Sequence, residues 1–217
     1  MNRWKKIMLW LICTPVVLLT VVFFFFYLTM RPTTGPQIDA YSTPRTALLI
    51  IDIQEDYTGP QAKKRYRDGD RIVAASNILL EQARLKGMPV VYIENVIDNP
   101  LIKLFAGGVN APGAPGTAMD RRLLKIPAAG TFTKNRPDAF SNPELDAFLR
   151  RNQVNRLLVT GLDGAYCVNA TTRGALNRGY KVTLFTEGIA TESGKSMDKL
   201  TQGWREAGAE VKAGVAM

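Results

Sequence analysis

The sequence predicts an α/β fold, a three-layer α/β/α sandwich around a mostly parallel sheet, preceded by one N-terminal transmembrane helix. Three observations predict it. Short, almost wholly apolar runs recur along residues 46–212, and such runs suit strands buried on both faces of a parallel sheet. Between them lie segments with apolar residues at helical spacing, most of them closing on a glycine. Ahead of both stands a stretch of 24 uncharged residues, 7–30.

That stretch reads IMLWLICTPVVLLTVVFFFFYLTM. As a helix at about 1.5 Å per residue it reaches roughly 36 Å, enough for a hydrocarbon core of about 30 Å. Pro15 lies near one end, where a spanning helix tolerates it. Trp4, Trp10 and Tyr27 lie near the ends, where amphipathic rings favour the interface. A cleaved signal has a shorter apolar region of about 7–15 residues and a small-residue cleavage site. Tyr27-Leu-Thr-Met-Arg-Pro32 is a poor cleavage sequence, and most of the run follows Cys13, which argues against a lipoprotein signal. The stretch therefore reads as an uncleaved signal anchor inserted in a lipid bilayer. Residues 1–6 carry Arg3, Lys5 and Lys6 without an acid and are expected in the cytoplasm. The expectation is a single-pass protein of the cell membrane, with residues 45–217 on the periplasmic or extracytoplasmic side. Residues 31–44, RPTTGPQIDAYSTP, read as a linker.

In the body, Thr46–Ile51 is the first strand and Asp52 follows it directly. Residues 69–86 form an amphipathic helix stopped by Gly87, and Pro89–Ile93 is the second strand. Residues 95–130 are irregular, with Gly107-Gly108, Pro112, Gly113, Pro115, Gly116, Pro127 and Gly130. A stretch this long in a compact domain is usually functional or mobile. A short strand at Thr131–Thr133 precedes Lys134. Ser141 with Glu144 resembles a capping box, opening a helix to about Arg150. Arg156–Thr160 is a strand, Cys167–Arg178 a helix stopped by Gly179, and Lys181–Phe185 a strand. Residues 196–207 form the last helix and Ala209–Lys212 the last strand, completing a Rossmann-like alternation.

The net charge is +9, and from residue 31 onward 25 basic residues face 19 acidic ones. The best basic clusters are Lys63-Lys64-Arg65 with Arg67, and Arg121-Arg122 with Lys125. Neither interleaves with aromatics or sits in a nucleic-acid motif, so they read as solvated faces and nucleic acid is not an expected partner. The two cysteines, Cys13 and Cys167, indicate no disulfide framework. The absence of histidine removes His-ligated zinc, Ser-His-Asp triads and Cys-His dyads. No cofactor and no metal site is expected.

In open parallel sheets ligands sit beyond the carboxyl ends of the strands. Asp52, Lys134 and Cys167 all fall there, bringing a carboxylate, an ammonium and a thiol to one edge. Singly, each has a bland reading: a turn cap, a solvated charge, a small core hydrophobe. Together they form a nucleophile with its activators. A helix N-terminus and Lys134 are expected to lower the pKa of Cys167, and Asp52 to move its proton. The backbone N–H groups of Cys167 and Gly164 are the candidate oxyanion hole. Tyr57 and Tyr166 flank the trio and are candidate pocket residues for a small-molecule substrate, with core packing as the alternative role.

The flanks of these residues resemble the isochorismatase-like cysteine hydrolases, a family with nicotinamidases, N-carbamoylsarcosine amidases, ureidoacrylate hydrolases and isochorismatases. Leu48-Leu-Ile-Ile-Asp-Ile-Gln-Glu-Asp-Tyr57 is similar to the apolar strand ending in D-x-Q-x-D-F. Gly116-Thr117 resembles the G-T/S of the family, and Lys134-Asn-Arg-Pro-Asp-Ala-Phe140 its K-x-R-x-S-A-F. Val159-Thr-Gly-Leu-Asp-Gly-Ala-Tyr-Cys-Val168, Ala170-Thr171 and Arg178-Gly-Tyr-Lys-Val182 resemble V-T-G-x-x-T-D-x-C-V, A-T and R-G-Y-x-V.

The resemblance implies a hydrolase domain at 45–217, Asp52, Lys134 and Cys167 as its catalytic trio, and a cis peptide before Gly164. It also implies amide-type C–N cleavage through a thioester. Isochorismatase-type vinyl ether hydrolysis and a catalytically idle, ligand- or partner-binding descendant are the alternatives. Family members often form dimers or tetramers, which leaves a homo-oligomer open. The chain departs from the pattern at Gly164-Ala165, where the family has T-D, and at Gly174, where it has an aspartate. Without histidine, a nicotinamidase-type metal site is not expected.

Overall fold

A computed structural model describes residues 3–217. Met1 and Asn2, the start of the expected cytoplasmic tail, lie outside the described residues. The chain divides into two units at Arg31, and the second is Pro32–Met217. Helix α1 (Arg3–Met30) carries Pro15 within it. Its Trp10–Met30 portion is long and apolar enough to cross a membrane. Thr14 and Thr20 return their hydroxyls to carbonyls four residues earlier, at 2.7 and 2.8 Å, so these polar groups are satisfied inside the helix.

The second unit runs β1 (Arg45–Ile51), α2 (Glu55–Thr58), α3 (Gly69–Leu85), β2 (Val90–Asn95), α4 (Pro100–Phe105) and β3 (Gly130–Lys134). It continues with α5 (Pro143–Arg151), β4 (Val154–Gly161), α6 (Cys167–Leu176), β5 (Lys181–Ile189), α7 (Met197–Glu206) and β6 (Glu210–Lys212). The sheet order is β3-β2-β1-β4-β5-β6, with every neighbouring pair parallel. The strand order reverses beside β1, and that switch point is where an open sheet of this kind leaves a crevice.

Both faces of the sheet are covered, as the apolar strand runs require. Leu49 and Ile51 of β1 pack in one core with Leu145 and Leu149 of α5, Val168 of α6 and Trp204 of α7. Leu48 and Ile50 point to the other core, with Ile72, Leu79 and Leu80 of α3. Between β1 and β4 the chain crowds at Gly161, whose φ is +128°. A Cβ there would strike the Ile51 carbonyl oxygen, which accepts the Leu162 N–H at 2.8 Å. Only glycine fits that approach.

Three local expectations shift. The cap of α5 is Asn142, whose side chain accepts from the Glu144 N–H, and not Ser141. Pro143 takes the first helical position, where its fixed φ and missing N–H suit a helix start, and Ser141 is drawn into a preceding 3-10 turn, Ala139–Ser141. The irregular 95–130 segment contains α4 and a 3-10 turn at Pro115–Thr117. Residues 32–44 carry no helix or strand, and several of them are hydrogen-bonded to α5 and to the end of α6.

Candidate active site

The carboxyl ends of β1, β2 and β3 and the start of α6 converge on one group, the ammonium of Lys134. Its Nζ donates to Asp52 Oδ2 at 2.8 Å, to Cys167 Sγ at 3.2 Å and to Asn95 Oδ1 at 3.4 Å. The Lys134 side chain is fully buried and that of Asp52 nearly so, while Cys167 is half-buried. The three residues expected to act together therefore meet at the Lys134 ammonium. Asn95 is a fourth member that the sequence reading missed. It ends β2 and stands in register with Lys134. The rule that singled out Asp52, a polar residue at a strand's carboxyl end, applies equally to it.

Asp52 is held in an uncommon backbone state, with φ at +54°. Its N–H donates to Ile93 O at 2.9 Å, which ties the bend to β2. A non-glycine residue in that region costs on the order of 1–3 kcal/mol, and the cost is met here by packing around it. The bend directs Oδ2 at Lys134, while Oδ1 has no hydrogen-bond partner.

The rest of the Asp52-Ile-Gln-Glu-Asp motif holds the irregular segment. Gln54 is fully buried and uses both ends of its amide. Its Nε2 donates to the carbonyls of Asn95 and Thr117, and its Oε1 accepts from the Asn95 N–H at 2.9 Å and Asn110 Nδ2 at 3.3 Å. Asp56 accepts the Asn110 N–H at 2.7 Å, and its carboxylate occupies the space a side chain on Gly116 would need. Gly116 is glycine because Asp56 is there.

Burial raises the Asp52 carboxyl above its usual range, with Lys134 pulling it back. Burial also pulls on the Lys134 ammonium, but the negative charge of Asp52, with the Cys167 sulfur beside it, outweighs it and holds the lysine above the ordinary range. The Cys167 thiol is pushed up to about 12, first by burial and then by Asp52, against the opposing effect of Lys134. This reverses the expected lowering. Lys134 is near enough to favour a thiolate, but removing the sulfur from water beside a carboxylate costs more. That balance favours the thiol over the thiolate at neutral pH.

Tyr57 lies beside the trio. Its hydroxyl is raised by burial and by Asp52 and Cys167, with the nearby Asn95 side chain pulling it back. Its ring meets Tyr66 edge-on at 5.7 Å. Tyr166 precedes Cys167 and is 56% exposed, so it is not a core residue. A cavity of about 680 Å³ reaches Lys134, Glu94 and Asn135 under the 112–118 segment, without Asp52, Cys167, Tyr57 or Tyr166 in its walls.

The candidate oxyanion donors differ from expectation. Cys167 opens α6, and its N–H meets no acceptor among the described residues. The Gly164 N–H, in contrast, donates to Ala190 O at 2.8 Å and is not free. No peptide bond among the described residues is cis, including the one before Gly164. The Asp163 side chain, to which the sequence assigns no role, organises this turn. Its carboxylate accepts from the Ala165 N–H at 2.7 Å, Thr191 Oγ1 at 2.8 Å, the Glu192 N–H at 3.0 Å and Tyr66 Oη at 3.0 Å.

A family model for the isochorismatase domain matches residues 46–213. The chain is 27% identical over 155 residues to an isochorismatase family protein of Bacillus subtilis, covering 71% of this chain and 83% of that one. It is 28% identical over 159 residues to N-carbamoylsarcosine amidase of an Arthrobacter species, covering 67% of this chain and 59% of the amidase. The solved N-carbamoylsarcosine amidase of Thermoplasma acidophilum shares the fold, with a TM-score of 0.71 at 23% identity over 80% of this chain and 98% of that one.

A protonated resting thiol has a measurable consequence. In a Cys13→Ser background, alkylation of Cys167 by iodoacetamide is expected to accelerate steadily through pH 9–11, because the thiolate fraction keeps rising toward a pKa of about 12. A rate that has already levelled off at pH 7 contradicts this.

Proposed function

Because the chain belongs to the isochorismatase family of hydrolases, which includes amidases acting on non-peptide carbon–nitrogen bonds, we propose that it is a cysteine amidohydrolase for a small amide, imide or ureido compound. One observation carries the reading: a single buried ammonium contacts both a carboxylate and a thiol, Asp52 Oδ2 at 2.8 Å and Cys167 Sγ at 3.2 Å.

The chemistry follows from that contact. The substrate carbonyl meets Cys167, and the thiol proton passes to Asp52, whose Oδ1 has no other partner. The sulfur forms a bond to the carbonyl carbon while Lys134 balances the negative charge shared by sulfur and carboxylate. The Cys167 N–H faces the developing oxyanion. Asp52 returns its proton to the leaving nitrogen, the C–N bond breaks, and a thioester remains. Water, losing a proton to Asp52, then releases the acid and restores the thiol. Asn95 keeps Lys134 aimed, and Tyr57 lines the approach. Asp52, Lys134 and Cys167 are the catalytic residues on this reading.

A second reading rests on the Gly164 N–H, which is engaged by Ala190 and so is withdrawn from the pair of donors expected at the turn. On that reading the chain is a descendant that binds ligands without turnover. Ammonia release from N-carbamoylsarcosine, nicotinamide and ureidoacrylate, measured on the full chain in detergent micelles, separates the two. The amidohydrolase reading expects turnover of at least one amide and a loss of at least about a thousandfold in Cys167→Ala. Full activity in Cys167→Ala contradicts it. Saturable binding with no turnover across the panel favours the second reading. Cleavage of isochorismate that survives Cys167→Ala but not Asp52→Ala identifies vinyl ether hydrolysis instead.

We further infer that α1 anchors the chain in the cell membrane with the hydrolase unit on the extracytoplasmic side. Support comes from the apolar Trp10–Met30 portion and from Arg3, Lys5 and Lys6 ahead of it. The full chain is then expected to stay with membranes through an alkaline wash, and its hydrolase unit to be digested by protease added to spheroplasts. Release into the soluble fraction, cut after the apolar stretch, identifies a cleaved signal.

A further inference from the structure

Residues 32–38 precede the stretch matched by the isochorismatase domain, yet they are bonded into the hydrolase unit. Thr33 donates both its N–H and its hydroxyl to one oxygen, Asp138 Oδ2, each at 2.7 Å. The other oxygen, Oδ1, accepts the Phe140 N–H at 2.9 Å. Arg178 Nη1 donates to Thr33 Oγ1 at 3.0 Å, and Asn177 Nδ2 to the Thr33 carbonyl at 2.9 Å. Gly35 lets the strap cross Arg178, because a Cβ there would lie 2.7 Å from its Nε. Beyond it, Arg150 Nη2 donates to Pro36 O at 2.6 Å, and the Ile38 N–H to Arg178 O at 2.9 Å.

What Thr33 holds is close to the chemistry. Asp138 lies four residues after Lys134, in the turn that leads to α5. It is 1% exposed, and burial pushes its carboxyl up while the bonds from Thr33 pull it back. Its carboxylate presses against α6 at Gly174, where any Cβ would collide with it. The next residue, Ala139, donates its N–H to Thr171 Oγ1 in α6 at 3.0 Å. Helix α6 begins with Cys167. The Asp138 turn is therefore a direct link between the strand that ends in Lys134 and the helix that starts at Cys167.

We propose that Thr33 and Asp138 are positioning residues of the hydrolase site, and that the strap at residues 32–38 sets the spacing of Lys134 and Cys167. The proposal rests on the thiol hydrolase reading above. A buried carboxylate that loses donors takes up a proton or turns to find others. Either response moves the turn against α6 and separates the ammonium from the sulfur. Misplacement by about 1 Å costs a reaction roughly a hundredfold.

The test uses the full chain in detergent micelles in a Cys13→Ser background, with Thr33→Val, Thr33→Ser and Asp138→Asn. Two quantities are read: the alkylation rate of Cys167 against pH, and kcat and KM for whichever amide the wild type cleaves. Thr33→Val is expected to slow alkylation at pH 9 by about tenfold, since the sulfur loses part of its cation. It is expected to lower kcat by about tenfold or more with KM within about twofold. Thr33→Ser, which keeps the hydroxyl donor, is expected to stay within about twofold of wild type in both. Asp138→Asn, which turns an amide N–H toward the Phe140 N–H, is expected to follow the valine variant and decides the matter if that variant does not fold. Wild-type alkylation profiles in folded Thr33→Val or Asp138→Asn overturn the proposal. The alkylation arm needs no substrate, so a wild type that cleaves no amide sinks the hydrolase reading alone.

Discussion

The Lys134 ammonium, on a fully buried side chain, is the constraint on which the rest of the site depends. A charge in that position is several kcal/mol unfavourable unless it is paired and hydrogen-bonded. Asp52, just after β1, Asn95 at the end of β2 and Cys167 at the start of α6 supply those partners. Each partner lies at the end of a different element, so the ammonium also fixes how those elements meet. The same contact that makes the charge tolerable is the one that can carry charge off the sulfur during a reaction. The site cannot be loosened at one member without exposing the cost at the others.

The motif residues divide into two kinds of work. Asp52, Lys134 and Cys167 carry the reactive groups. Gln54, Asp56 and Asp163 carry none, and instead spend buried polar atoms on backbone: Gln54 and Asp56 on the irregular segment, Asp163 on the turn before Cys167. Segments rich in glycine and proline have few apolar anchors of their own, so buried side-chain acceptors give them a defined course. Gly116, Gly161 and Gly174 are the places where a side chain or backbone from a neighbouring element comes too close for a Cβ.

Much of this was legible in the sequence. The strands were, because a parallel strand buried on both faces is apolar at every position, as at Ala47–Ile51. The trio was, because topology brings those strand ends to one edge and the flanks of Asp52, Lys134 and Cys167 resemble the family's motifs. Other features were not, and each for a physical reason. The course of 95–130 is set by side chains more than forty positions away, Gln54 and Asp56, and no local pattern reports such bonds. Asn95 sits at the margin of that segment, and nothing in its own neighbours sets it apart. The sign of the Cys167 shift is a contest between burial and Lys134, and the depth of burial is a property of the folded state. The strap at residues 32–38 has a linker's composition, and its attachment depends on Asp138 and Arg178, far along the chain.

The charge state of Lys134 is the most direct test of the account. Selective nitrogen-15 labelling of lysine, followed by titration of the Lys134 side-chain resonance in the full chain, reads it without any substrate. The account predicts that this ammonium stays protonated well beyond the ordinary lysine pKa of about 10.4, and that Asp52→Asn brings its titration down. A lysine that loses its proton at or below that value in the wild type would mean the carboxylate does not hold the charge, and the arrangement described here would be wrong.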